Sequence, residues 1–114
     1  MQKIVINVCH GGFGLSDTAM VLYAKLKDLV LVTNKDKYGF THYYVDEVDD
    51  NKYLSDRDIA RDDIALVQVV ETLGKAASGK YAKLRVVQVP DDVEWTIEEY
   101  DGSEWVAEAH RTWS

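Results

Sequence analysis

The run Val5-Ile6-Asn7-Val8-Cys9-His10-Gly11-Gly12-Phe13-Gly14-Leu15-Ser16-Asp17 constrains the fold more than any other stretch. Lys3 to Cys9 is nearly continuous in apolar, β-branched residues, the pattern of a strand covered on both faces. Gly11, Gly12 and Gly14 open backbone conformations closed to other residues, and Ser16 or Asp17 stands where a helix N-cap belongs. A helix N-terminus beside such a loop offers unpaired N–H groups and the positive end of the helix dipole. The stretch therefore reads as strand, glycine loop and helix start, with room for an anion at the junction.

Leu15, Ala19, Leu22, Tyr23 and Leu26 recur at helical spacing, which predicts an amphipathic helix over 16–27. Leu29 to Thr33 reads as a second buried strand. Strand, helix, strand with short joints predicts a βαβ unit with parallel strands and a right-handed crossover. Residues 34–60 match no regular pattern; they form an aromatic-rich excursion with one strand expected at Thr41 to Val45. Asp62 or Asp63 is expected to cap a second helix whose apolar face is Leu66, Val69, Val70, Leu73 and Ala77, closed by Gly79. Ala82 to Val89 reads as a strand stopped by Pro90.

The last third predicts a hairpin. A two-residue turn at Asp101-Gly102 would mix the two faces. A three-residue loop, Tyr100 to Gly102, instead pairs Ile97 with Trp105, Trp95 with Ala107 and Val93 with Ala109 on one apolar face. Glu94, Glu98, Glu104 and Glu108 then fall on the opposite face, towards solvent or a basic partner. The expected fold is a single α/β domain over 1–114, with a mixed α+β sheet: a βαβ unit, a helix, and a three-stranded C-terminal β segment ending in a hairpin.

A formal charge of −7 argues against an extended nucleic-acid surface, which needs many Lys and Arg contacts to phosphate. No apolar run reaches the roughly 20 residues of a membrane helix and no secretory leader is recognisable, so a cytoplasmic protein without membrane contact is expected. The charge is uneven. Positions 75–89 hold Lys75, Lys80, Lys83 and Arg85 without an acid, while 91–108 hold eight acids without a base.

The glycine loop lacks both the Gly-x-Gly-x-x-Gly spacing and a P-loop lysine, so neither nucleotide fingerprint applies. The single cysteine excludes an internal disulfide, and His10, His42 and His110 lack metal-ligand spacing, so no metal and no cofactor are expected. A thiol enzyme using Cys9 is one alternative; its base would be His42 or His110, because His10, adjacent on a strand, points to the other face.

The segments Ile6-Asn7-Val8-Cys9-His10-Gly11-Gly12-Phe13-Gly14-Leu15-Ser16-Asp17, Arg61-Asp62-Asp63 and His110-Arg111-Thr112-Trp113 resemble a family of small uncharacterised proteins of tailed bacteriophages. The resemblance implies a setting, the cytoplasm of an infected bacterium, and brings no catalytic residue with it.

The leading expectation is a non-enzymatic binder of a small phosphate-bearing nucleotide, acting as an anti-defence sponge for a host immune signal. Phosphate would rest on His10, Gly11, Gly12, Gly14 and Ser16. Phe13, Tyr43, Tyr44 or Trp113 would meet the base, and Arg111, with Arg57 or Arg61, the remaining charge. A homo-oligomer would deepen the pocket. The rival expectation is an inhibitor that binds a host protein through its acidic and tyrosine-rich surface.

Overall fold

The computed structural model describes residues 1–109, and the elements run in the order that the sequence predicts. They are β1 (Gln2–Asn7), α1 (Asp17–Leu26), β2 (Leu31–Lys35), β3 (Thr41–Val45), α2 (Ile64–Leu73), β4 (Leu84–Val89), β5 (Trp95–Tyr100) and β6 (Ser103–Glu108). Short 3-10 turns lie at Asp50–Lys52, Asp56–Asp58 and Gly74–Ala77. The class is α+β, built from antiparallel strand pairs.

Strand β1 is covered on both faces, as its composition requires. Alternate side chains enter two different packing layers. Val5 joins Ala19, Met20 and Tyr23 of α1 and Leu66, Val69 and Val70 of α2. Ile4 and Ile6 point the other way, to Val89, Trp95, Ile97 and Val106. The β1–β4 pair thus lies between the two helices and the β5–β6 hairpin. Burying each of these aliphatic side chains contributes about 1.5–3 kcal/mol.

Strand pairing departs from the expected βαβ unit. β1 pairs with β4, antiparallel, with Ile4 opposite Val87. β2 pairs with β3 instead of running parallel to β1. Two sets of contacts account for this, one long-range and one local. The free edge of β1 is taken, because the Val5 amide donates to the Arg61 carbonyl (2.8 Å) and the Asn7 amide to the Glu104 carboxylate (2.8 Å). The β2–β3 turn is held by Asp36, whose carboxylate accepts the amides of Tyr38 and Phe40 at 2.8 and 3.0 Å. β2 is accordingly half-exposed rather than buried.

The helix ends follow their caps. Ser16 caps α1, its Oγ accepting the Ala19 amide at 3.1 Å. Asp63 caps α2 through the amides of Ala65 and Leu66. The α2 C-cap is Gly74, not Gly79; Gly79 packs its backbone on the glycine loop, donating to the Gly14 carbonyl at 2.9 Å.

The hairpin register also differs from expectation. β5 and β6 meet through the two-residue Asp101-Gly102 turn, with Tyr100 opposite Ser103, Ile97 opposite Val106 and Trp95 opposite Glu108. Both turn residues have positive φ (51° and 89°), the type I′ pattern whose twist matches the strands. Relative to the three-residue loop this shifts β6 by one residue, which turns each of its side chains over. Trp105 comes out to the surface and Glu104 goes in.

Candidate functional site

The glycine loop is the crossing point of the fold. On one side it touches the hairpin and on the other the start of α1. Gly11 lies so close to the Tyr81 carbonyl that a β-carbon there would overlap it. Gly102 of the hairpin turn sits on the loop in the same way; a β-carbon would come within 2.6 Å of the His10 carbonyl.

The hairpin side of the loop is held by a buried polar knot around Asn7, which is 0% exposed. Its amide nitrogen donates to the carbonyls of Cys9 (2.7 Å) and Gly102 (2.9 Å), and its Oδ1 accepts the Lys83 amide at 2.8 Å. One side chain thus joins β1, the loop, β4 and the hairpin. Beside it, Arg61 grips Glu104 with both nitrogens, at 2.6 and 2.9 Å. Arg61 also donates to the Val5 carbonyl, and its guanidinium lies 3.7 Å from the centre of the Phe13 ring. Burial alone would push the Glu104 carboxyl up. The hydrogen bonds from Arg61 and the Asn7 amide, with the guanidinium charge, outweigh it and hold the group below the usual glutamate range.

These contacts settle where several expected site residues go. Arg61 and Phe13 face each other in a packed contact rather than facing a ligand. Ser16 is the α1 cap, and its hydroxyl donates to the Ala76 carbonyl at 2.6 Å. Its amide donates to the Ala77 carbonyl at 2.9 Å. The Leu15 amide donates to the Asp56 carboxylate at 3.0 Å, so a negative group of the protein itself already occupies the place expected for an anion. Leu15 is buried and Gly14 lies beside Asp56. His10 is exposed, its Nδ1 3.2 Å from the Asp101 carbonyl; Gly11 is exposed and Gly12 half-buried.

Tyr43 and Tyr44 point to opposite faces of β3. Tyr43 packs against the helical core and its hydroxyl donates to Asp17; Tyr44 meets the Tyr53 ring edge-on at 5.6 Å. Arg57 is exposed in the 3-10 turn before Ile59. Arg111 and Trp113, with His110, lie outside the described residues. The ten expected residues that are described are therefore not gathered into one pocket; they divide between the knot, the loop, the β2–β3 hairpin and, for Arg57, the Asp56–Asp58 turn.

Cys9 is half-buried, and its Sγ donates to Asn7 Oδ1 (3.3 Å) and the Tyr81 carbonyl (3.1 Å). His42 is hydrogen-bonded to Asp36 at 2.9 Å, which holds that aspartate below its ordinary range together with the Phe40 and Tyr38 amides. No histidine is seen to activate the thiol among the described residues.

On the α1 side of the loop the surface opens into a cleft of about 360 Å³. Asp17 and Asp56 line it, with Phe40, Tyr43 and Tyr53, above a floor that includes Leu15 and Met20. Sequence reasoning named Tyr43 but missed both acids and the other two rings. Asp56 lies 41 residues from Leu15, whose amide it accepts, and no local pattern marks it.

Two further features went unpredicted. Glu104 was placed on the solvent face, yet its side chain is 8% exposed. Tyr23 and Asp63 tie α1 to α2: the Tyr23 hydroxyl donates to Asp63 at 2.9 Å, beside Lys27 at 3.1 Å. Burial and the neighbouring carboxylate push the Tyr23 phenol up to about 12. No helix among the described residues is long and apolar enough to cross a membrane. No family model, curated protein or solved structure matches this chain.

Proposed function

We propose that this chain is a binding protein that docks on a basic surface of a partner protein. The observation that carries this reading is the outward face of the β5–β6 hairpin. The type I′ register puts Trp105 there, directly opposite Glu98 and beside Tyr100. Both aromatics are exposed, in a segment where only Asp91 and Glu104 of eight acids have an ion-pair partner among the described residues. On this face the register sets one acid beside the rings, Glu98, which has no ion-pair partner among the described residues; exposed aromatics next to an unmatched acid suit a partner that offers Lys or Arg.

The loop chemistry supports the same choice over a phosphate ligand. An anion approaching the α1 N-terminus meets Asp17 and Asp56, whose two full charges outweigh the roughly half-charge of the helix dipole. In the tailed-phage setting that the sequence resembles, the partner is a protein of the infected cell.

Calorimetric titration with a basic nonapeptide, an acidic nonapeptide and a cyclic dinucleotide tests this. The basic peptide is expected to bind, and to weaken as salt rises, since exposed charges are screened beyond roughly 10 Å at 0.1 M. Trp105→Ala is expected to weaken it further. Binding of the dinucleotide, with no response to the basic peptide, would overturn the proposal.

A further inference from the structure

We infer that the cleft between the α1 N-terminus and the β2–β3 hairpin is the anchor point for one cationic side chain, a lysine or arginine, of that partner. This assignment rests on the basic-partner reading above and adds to the hairpin face a separate contact on the α1 side of the loop.

The walls have the chemistry such a side chain needs. Its aliphatic stem would lie over Leu15, Met20 and Leu54, and its charged end would meet Asp17 and Asp56 beside the rings of Phe40, Tyr43 and Tyr53. Aromatic faces attract ammonium and guanidinium groups, and more strongly where water is displaced. The volume, about 360 Å³, sits at the low end of the range for small-ligand sites and admits one side chain rather than a folded element.

The charge is uncompensated. Among the described residues, the ion pairs of the protein involve Asp91, Glu71, Asp63, Asp36, Glu47 and Glu104, and neither Asp17 nor Asp56. Each cleft acid uses one oxygen internally. Asp56 Oδ2 takes the Leu15 amide and Asp17 Oδ1 takes the Tyr43 hydroxyl, which fixes the orientation of both carboxylates while leaving Asp56 Oδ1 and Asp17 Oδ2 without a donor among the described residues.

The rim supports the same occupant. Phe40 is 68% exposed although it stands at the cleft mouth. The Asp36 turn holds it there, since Asp36 binds the Phe40 amide and is itself clasped by His42. A large ring kept in water by a built turn gains area when a side chain slides beneath it.

The test is an amide chemical-shift titration of the isotope-labelled chain with three capped tripeptides, Gly-Arg-Gly, Gly-Lys-Gly and Gly-norleucine-Gly. The basic peptides are expected to shift Leu15, Thr41, Leu54 and Asp56, and the norleucine peptide, which has the stem without the charge, to shift none of them. The double variant Asp17→Asn, Asp56→Asn keeps an oxygen acceptor for the Leu15 amide and the Tyr43 hydroxyl, so its dispersed spectrum reports an intact fold. It is expected to lose at least about tenfold in affinity, some 1.4 kcal/mol. Phe40→Ala is expected to weaken binding several-fold, and Asp28→Asn, at an exposed acid outside both the cleft and the hairpin, to leave the tripeptides unaffected.

Shifts confined to Glu98, Tyr100 and Trp105 would overturn the cleft assignment and leave the basic-partner reading standing. Equal binding by the norleucine peptide, or an unchanged double variant, would also overturn the cleft. Absence of shifts anywhere with both basic peptides would count against both proposals.

Discussion

The two sides of the glycine loop treat carboxylates in opposite ways. On the hairpin side Glu104 is buried and matched: Arg61 takes both its oxygens and the Asn7 amide adds a third donor. On the helix side Asp56 and Asp17 face a cleft and have no basic partner among the described residues. A buried acid must be satisfied from within the fold or it costs several kcal/mol, whereas a cleft acid leaves room for a group from outside. The first arrangement holds β1, the loop and the hairpin in one position. The second leaves two carboxylates open to the surface.

The largest expected effect therefore lies at the matched acid. Glu104→Ala strands the Arg61 guanidinium and the Asn7 amide, and Arg61→Ala strands the carboxylate; either is expected to lower stability by about 3–5 kcal/mol in urea unfolding. Replacing both with apolar residues of similar volume is expected to recover much of that loss, because the penalty belongs to the unpaired charge. Equal losses for single and double variants would mean that the pair matters through shape alone.

Next come the glycines of the loop itself. Gly11→Ala drives a β-carbon into the Tyr81 carbonyl, where backbone must move, and is expected to cost about 2–3 kcal/mol. Gly12→Ala meets open space and has only its positive φ of 91° to overcome, so about 1 kcal/mol is expected. Melting temperatures that rank the two the other way would show that the loop does not lie against β4's approach as described.

Acid and base unfolding give a third measure of the same contrast. Glu104 and Asp63 are both held below their ordinary values, against the opposing effect of burial, by hydrogen bonds from Arg61 and the Asn7 amide in one case and from Lys27, Tyr23 and the Leu66 and Ala65 amides in the other. Their stabilisation is complete above the carboxylate pKa of the unfolded chain, about 4, and is lost as pH falls through the lower folded values. Tyr23 acts at the other end. Burial first, and then Asp63, raise it to about 12, so its contribution is present below about 10 and is lost as pH climbs through 12. Glu104→Gln is expected to flatten the acid limb and leave the alkaline limb in place; Tyr23→Phe should flatten the alkaline limb and, by removing one donor from Asp63, also weaken the acid limb to a smaller extent.

The same contrast explains how much could be read from the chain beforehand. Local chemistry marked the elements: the β-branched run of β1, the Ser16 and Asp63 caps, the Thr41–Val45 strand and the order of helices and strands all appear where the sequence puts them. Pairing was less legible, because it depends on groups far apart in sequence. Nothing near Val5 announces that the Arg61 carbonyl will occupy its edge, and that contact helps keep β2 away from β1. The hairpin register was misjudged for a related reason. Apolar alternation favoured placing Trp105 inside, but the Asp101-Gly102 turn and the Arg61 partner waiting for Glu104 both select the other register. The place expected for an anion holds a carboxylate of the protein itself through one long-range contact, Asp56 at the Leu15 amide, which nothing near the loop announces.

The smallest expected effect on stability closes the comparison. Asp56→Asn keeps a carbonyl oxygen for the Leu15 amide and removes only a charge that has no ion-pair partner among the described residues, so the fold is expected to lose no more than about 1 kcal/mol. Asp56→Ala removes the acceptor as well and should cost more, by leaving the amide of a buried residue unpaired. If Asn and Ala prove equally mild, the Leu15 amide has another acceptor and the helix start is more open than the described contacts make it. If Asn is as damaging as Glu104→Ala, the charge itself supports the fold, and the difference drawn between a matched acid and a presented one disappears.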